Sequence, residues 1–129
     1  MRNIKVLLVD DDTQGLLALR QALIAEGYEV VMARNVKAAL DEVLASEQPF
    51  DIIVTDLCMS PISGVDLLHT LSRSVPIIIV SAAFGEGKNP TQKEVEALGA
   101  VATFAMPYEV TDLLKAIEDH LPIPVGTAN

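Results

Sequence analysis

The stretch that decides the fold is residues 4–12, Ile-Lys-Val-Leu-Leu-Val-Asp-Asp-Asp. Its apolar part, Val6 to Val9, is continuous and does not alternate with polar residues. The stretches that begin at Ile52 and Ile77 follow the same pattern. Strands of this kind are buried on both faces, as in a parallel sheet. The three stretches therefore predict the central strands of a parallel sheet.

Short apolar segments recur along the whole chain at the spacing of strands. They predict five strands, at Ile4–Val9, Tyr28–Ala33, Ile52–Thr55, Ile77–Val80 and Val101–Ala105. Each strand is followed by a segment with helical character, so strand and helix alternate five times. Such alternation predicts a doubly wound α/β domain with helices on both faces of the sheet. Because crossovers are right-handed, we expect the flavodoxin-like strand order 2-1-3-4-5.

The helical segments are defined by apolar residues at i, i+3, i+4 and i+7. The stripes are Val36, Ala39, Leu40, Val43 and Leu44; Val110, Leu113, Leu114, Ile117 and Leu121; and, more weakly, Leu16, Leu19 and Leu23. Gly27 follows the last of these where a terminating glycine belongs. Another helix is expected to begin at Asn89-Pro90-Thr91-Gln92, with Asn89 as its N-cap and Pro90 in its first turn, and to end at Gly99.

Length and charge limit the classes of protein to which the chain can belong. Its 129 residues fit one domain, predicted over residues 1–121, with residues 122–129 as a tail or the start of a linker. A single Cys excludes a disulfide framework and favours a reducing, cytoplasmic environment. We expect no signal peptide and no membrane span. The net charge of -9 argues against nucleic-acid binding by this domain.

Acidic residues end two of the predicted strands. Asp10, Asp11 and Asp12 follow the first strand, and Asp56 follows the third. In the order 2-1-3-4-5 these strands are neighbours, and ligands bind at their carboxyl ends. Converging carboxylates repel one another, and Mg²⁺ relieves that repulsion with oxygen ligands it prefers. The pattern therefore predicts a magnesium site, although aspartates also end strands simply as turn and cap residues.

A magnesium site of this composition fits phosphoryl transfer. Aspartate carboxylates act as nucleophiles that form aspartyl phosphates, which makes Asp56 the candidate acceptor. Ser81 ends the fourth strand and its hydroxyl can donate a hydrogen bond to a phosphoryl oxygen. A phosphatase of the haloacid-dehalogenase type fits poorly, because it needs a second Asp two residues after the nucleophile, where this chain has Cys58.

Four segments in register resemble the receiver domains of response regulators in two-component signalling. They are Val6–Asp12, which is similar to the family's opening strand; Asp56–Gly64, similar to its phosphoacceptor loop; Ile79–Ala82, similar to its fourth strand; and Met106–Tyr108, where the family has Lys-Pro-Phe. The resemblance runs from about Asn3 to Leu121.

The resemblance implies a role for each matching residue. Asp56 matches the phosphorylated aspartate, and Ser81 matches the hydroxyl residue of the switch. Asp11 matches the direct Mg²⁺ ligand and Asp10 the ligand that acts through water. Cys58 matches the position whose backbone carbonyl binds the metal. The family also implies a cis Met106–Pro107 bond and a histidine kinase or phosphotransfer protein as phosphodonor. An output domain or a downstream protein is a possible further partner, and a homodimer is a possible assembly.

Three positions depart from the family pattern. Met106 replaces a lysine whose positive charge pairs with the negative phosphoryl group. A thioether carries no charge and cannot replace it. Thr103 stands where the family has a switch aromatic, and strand alternation turns the neighbouring Phe104 to the other face. The segment from Ser81 to Gly99 is about three residues longer than is usual, and its stretch 84–90 contains Lys88.

Two hypotheses from different classes follow. One is a phosphoaccepting receiver with an atypical switch, which phosphorylates and dephosphorylates itself and acts on no external substrate. The other is a pseudo-receiver, a module that keeps the fold and binds a partner protein without being phosphorylated.

Overall fold

Five strands and five helices alternate along the chain in the computed structural model, which describes residues 4–12, 14, 16–56, 64–82, 84 and 91–121. The strands are β1 (Lys5–Val9), β2 (Glu29–Ala33), β3 (Ile52–Asp56), β4 (Ile77–Ser81) and β5 (Ala102–Ala105). The helices are α1 (Leu17–Ala25), α2 (Val36–Ala45), α3 (Gly64–Leu71), α4 (Gln92–Ala97) and α5 (Val110–Asp119). Each predicted strand is therefore confirmed to within one residue at either end.

All strands run parallel in one sheet with the order β2-β1-β3-β4-β5, as predicted. The register pairs Val9 of β1 with Thr55 of β3, and Asp56 of β3 with Val80 of β4. β1 and β3 are therefore neighbours although a strand and two helices separate them in sequence. This arrangement brings the carboxyl ends of β1, β3 and β4 to one edge of the sheet.

The core forms two layers, because alternate residues of each buried strand point to opposite faces. One layer joins Leu7, Ile53 and Ile79 to side chains of α2, α3 and α4. The other joins Leu8, Val54 and Val80 to α1 and α5. Continuous apolar strands are thus required here, since both faces of the central strands are covered.

The helical stripes are confirmed with one exception. Leu16, Leu19 and Leu23 are fully buried, as are Leu113 and Ile117. Leu44, expected in the stripe of α2, is 85% exposed. At 3.6 residues per turn it lies roughly 90° from the centre of that stripe, at the rim where the helix turns away from the sheet.

The predicted start of α4 is wrong by two residues. The N-cap is Thr91 and not Asn89, which lies with Pro90 outside the described residues. The Thr91 hydroxyl accepts a hydrogen bond from the Glu94 N–H at 3.1 Å, and the Glu94 carboxylate accepts one from the Thr91 N–H at 3.1 Å. This reciprocal capping box satisfies two N–H groups that a helix start leaves without partners.

Gly27 and Gly99 end α1 and α4, as predicted, with φ of 89° and 119°. A Cβ atom at residue 99 would lie 2.9 Å from the Cβ and Oγ atoms of Ser72, whereas one at residue 27 would meet nothing within 4 Å. An alanine at residue 27 would therefore test the cost of the backbone conformation alone, whereas an alanine at residue 99 would add the cost of steric overlap.

We expect Gly27→Ala to lower the free energy of unfolding by about 1 kcal/mol, from the backbone conformation alone. Gly99→Ala should cost about 2 kcal/mol, because overlap with Ser72 adds to the backbone term. Urea unfolding of both variants measures the difference. Equal losses would show that the turn at Ser72 moves to make room for the extra methyl group without cost.

Candidate functional site

Three carboxylates meet at the carboxyl edge of the sheet. Asp10 follows β1 and Asp56 ends β3, and the register continues from the Val9–Thr55 pair to place them side by side. Asp10, Asp11 and Asp56 each offer one carboxylate oxygen such that the three oxygens lie within 4.8 Å of one another. The convergence that strand order predicted for these three residues is thus present in the fold.

Asp10 is the buried member of this group, with 3% of its surface exposed, whereas Asp11 is exposed. The backbone explains the difference. The Asp10 N–H still donates to the Ala33 carbonyl at 3.1 Å, so Asp10 continues the sheet beyond β1. One Asp10 carboxylate oxygen accepts a hydrogen bond from the Asp12 N–H at 2.8 Å, which fixes the turn that follows.

Burial raises the pKa of Asp10 from 3.8 to about 6, and the negative charges of Asp56, Asp11 and Asp12 add to the rise. The hydrogen bond from the Asp12 N–H opposes it. Among the described residues, no basic side chain contributes to this shift. The site therefore holds excess negative charge that a bound cation would neutralise.

The raised pKa makes the metal-free protein less stable as the pH rises from about 4 to 6, because the folded state binds the Asp10 proton more tightly than the unfolded state does. We expect Asp10→Asn, which keeps an acceptor for the Asp12 N–H, to be about 1–2 kcal/mol more stable than wild type at pH 8 in EDTA. The difference should shrink towards pH 4. Urea unfolding at both pH values measures it, and a gain that is independent of pH would contradict the assignment.

Ser81 ends β4, one residue beyond the partner of Asp56, and is 1% exposed. Its backbone carbonyl accepts a hydrogen bond from the Met106 N–H at 3.0 Å, which ties the end of β4 to the residue after β5. Ser81 thus lies at the same edge as the carboxylates, as strand order predicted. Cys58, Lys88 and residues 85–90 of the extended segment lie outside the described residues.

Met106 lines a cleft of about 460 Å³ beside the strand ends, with Ala18, Ala82, Pro107, Tyr108 and Val110. Its thioether packs partly against the apolar layer of α1 and α5. The Met106–Pro107 peptide bond is cis, which confirms the prediction for this bond.

Tyr108 is a site residue that the sequence pattern did not single out. Burial, and then the negative charge of Asp10, raise the pKa of its phenol, which therefore lies within electrostatic range of the site. The sequence did contain one sign of this role. Residue 108 is a tyrosine, with a polar hydroxyl, where the family that the chain resembles has phenylalanine.

Thr103 and Phe104 point to opposite faces of β5, as strand alternation predicted. Phe104 packs into the layer of α1 and α5 and meets Tyr108 edge to face, with ring centroids 6.4 Å apart. The Thr103 hydroxyl instead bonds to α4, accepting from Gln92 Nε2 at 3.1 Å and donating to Glu96 Oε2 at 3.1 Å.

None of the helices in the described part of the chain is long and apolar enough to cross a lipid bilayer.

Comparison with known proteins agrees with this geometry. The chain is 29% identical over 126 residues to sporulation initiation phosphotransferase F of Bacillus subtilis, covering 95% of this chain and 98% of that protein. It is 36% identical over 99 residues to the transcriptional regulatory protein KdpE of Mycobacterium tuberculosis, covering 75% of this chain but 41% of that protein.

Among solved structures, the response regulator receiver protein from Pseudomonas putida superposes with a TM-score of 0.80 at 28% identity, covering 92% of this chain and 98% of that one. The family model described as the response regulator receiver domain matches residues 6–118. With its strand order and carboxylate edge, this chain belongs to the response regulator receiver domains of two-component signal transduction.

Proposed function

We propose that the chain is a phosphoaccepting receiver in which Asp56 takes the phosphoryl group, Asp11 and Asp56 bind Mg²⁺ directly, and Asp10 binds it through water. The observation that carries this proposal is the convergence of three carboxylate oxygens within 4.8 Å at the edge where β1 and β3 end. Cys58 would complete the metal site through its backbone carbonyl, as the family resemblance implies.

The donor set fits the metal. Hard carboxylate oxygens suit Mg²⁺, which binds one or two carboxylates together with waters and phosphate oxygens. When bound, the ion would neutralise charge on the carboxylates and on the transferred group.

Asp56 supplies the nucleophile. One of its carboxylate oxygens forms a bond to phosphorus while the bond from phosphorus to the donor breaks, and the electron pair leaves with the donor nitrogen or oxygen. Phosphoryl transfer requires mainly positioning and charge stabilisation, and the fixed strand ends meet the first requirement. Hydrolysis by water at the same phosphorus would return the free carboxylate, so that the domain acts on itself and on no external substrate.

Ser81 would stabilise the phosphorylated state. Its hydroxyl belongs to a buried residue at the strand end next to Asp56, so a hydrogen bond to a phosphoryl oxygen would not have to compete with bulk water. Such a bond forms only when the group is present, and it therefore favours the phosphorylated conformation.

The partner proposed from this chemistry is a histidine kinase or a phosphotransfer protein, and the proposed location of the chain is the cytoplasm. We assign the receiver to residues 1–121 and a tail or linker to residues 122–129, which lie outside the described residues. An output domain or a separate downstream protein would receive the signal. This domain itself would contact neither nucleic acid nor membrane, and a homodimer is its proposed assembly.

Incubation with acetyl phosphate and Mg²⁺ tests the proposal. We expect the intact mass to rise by one phosphoryl group, with a linkage that is stable in acid and labile in alkali, and no uptake in EDTA. No uptake with Mg²⁺, together with an unchanged fold, would leave the second candidate function.

That second candidate is a pseudo-receiver that binds a partner without phosphorylation. Met106 favours it, because a thioether provides no charge for a phosphoryl group. Binding of the partner to both wild type and Asp56→Asn with equal affinity would support this function.

We expect Met106→Lys to bind beryllofluoride, a phosphoryl mimic, about tenfold more tightly than wild type in the presence of Mg²⁺, since a lysine adds one charge pair at the site. Met106→Gln, which adds polarity without charge, is the control and should leave the affinity within about twofold. NMR shifts during a beryllofluoride titration measure both. An equal gain in the two variants would show that charge is not what Met106 lacks.

A further inference from the structure

We propose that the Thr103 hydroxyl is a latch that holds α4 against β5 and restrains α4 when the site is phosphorylated. The first half stands on geometry alone, and the second half rests on the proposed function of Asp56. The latch consists of three residues, Thr103 of β5 and Gln92 and Glu96 of α4.

Both hydrogen bonds of the latch join α4 to β5. Gln92 and Glu96 are four residues apart and lie on the same face of α4, so that one hydroxyl reaches both. Thr103 accepts from Gln92 Nε2 at 3.1 Å and donates to Glu96 Oε2 at 3.1 Å, and the second bond is strengthened by the charge of the carboxylate. The Thr103 hydroxyl therefore donates one hydrogen bond to α4 and accepts another from the same helix.

Within the described residues, helix α4 buries little of its own surface against the rest of the fold. It is six residues long, and Val95 is its buried residue. The capping box of Thr91 and Glu94 is internal to the helix start and gives no contact with the sheet. Within the described residues, the side-chain hydrogen bonds that join α4 to another element are those to Thr103.

The position of Thr103 connects this helix to the site. Ser81 at the end of β4 accepts a hydrogen bond from the Met106 N–H, and Met106 follows β5 directly. Thr103 lies three residues earlier and pairs with Ile79 of β4. A displacement at Ser81 that moved α4 relative to β5 would have to break the bonds of the latch, which opposes that movement.

Thr103→Val tests the latch in the unmodified protein. Valine keeps the shape and the strand preference of threonine but removes both hydrogen bonds. We expect the amides of Val95 and Leu98, which bond within and just after α4, to exchange about two- to fivefold faster, because the two bonds are exposed to solvent and one net hydrogen bond corresponds to at most about fivefold in an opening equilibrium. Exchange in α1 and α5 should not change.

Two controls separate the latch from a general effect of the substitution. Thr103→Ser keeps the hydroxyl and should retain most of the protection. Thr70→Val removes a hydroxyl that donates to the Asp66 carbonyl within α3 at 2.9 Å, and it should leave α4 unchanged. Equal exchange in α4 of wild type and Thr103→Val would overturn the proposal.

Beryllofluoride with Mg²⁺ tests the restraint. We expect larger NMR shifts in α4 for Thr103→Val than for wild type, with equal shifts near Asp56 and Ser81. Equal shifts in α4 for the two proteins would overturn the restraint while the exchange result stands. If beryllofluoride leaves residues near Asp56 and Ser81 unshifted in both proteins, the proposed function fails, and the latch is judged by exchange alone.

Discussion

The Asp56→Asn chain should take up no phosphoryl group from acetyl phosphate under conditions that label wild type. The amide is nearly the same size as the carboxylate, but its oxygen lacks the negative charge and nucleophilicity that attack on phosphorus needs. Because Asp56 lies at the end of a strand whose other residues are buried, the substitution should leave the sheet intact. Intact mass spectrometry measures the loss, and circular dichroism confirms the fold.

The matched control is Asp41→Asn. Asp41 is an exposed carboxylate of α2 that pairs with Lys37 at 3.5 Å, and it is not among the converging carboxylates. This variant should be labelled like wild type. A label that persists in Asp56→Asn and maps to Asp10, Asp12 or a histidine would overturn the assignment of the acceptor.

The second large effect is expected in metal binding. Asp11→Asn should lower the affinity for Mg²⁺ by about 100-fold at pH 8, where Asp10 is ionised, because the ion loses a charged oxygen ligand and retains a strong preference for its own hydration shell. Isothermal titration of the folded protein with MgCl₂ measures the change.

Asp12→Asn is the control for charge alone. Asp12 is adjacent in sequence and exposed, and its carboxylate accepts a hydrogen bond from the Gln14 N–H at 3.0 Å and is not one of the three that converge. We expect a loss of less than about threefold, as screening of an exposed charge implies. Equal losses in both variants would mean that Mg²⁺ responds to net charge and not to a site.

The fold could be predicted because its evidence is local and repeated. Continuous apolar strands such as Val6–Val9 can be buried only between two helical layers, and right-handed crossovers leave few orders for five strands. The start of α4 could not be placed, because Asn89-Pro90 and Thr91 with Glu94 are competing start signals in the same segment. The structure shows that the reciprocal box at Thr91 prevails.

The sequence predicts which residues of the site lie together, because these residues stand at the ends of neighbouring strands, but it does not predict their burial. Strand order brings Asp56 to the carboxylates after β1, but it does not indicate which of those three is buried. That depends on the hydrogen bond from Asp10 to Ala33, which extends the sheet by one residue. The bonds of Thr103 were equally inaccessible to sequence, since they depend on the distance between β5 and a helix that lies earlier in the chain.

The two-layer core also limits where this chain can change length. One residue added within β1 would exchange the side chains of Leu7 and Leu8 between the layers and carry Asp10 away from the edge it shares with Asp56. Insertions and deletions should therefore be excluded from β1, β3 and β4 and confined to the connections.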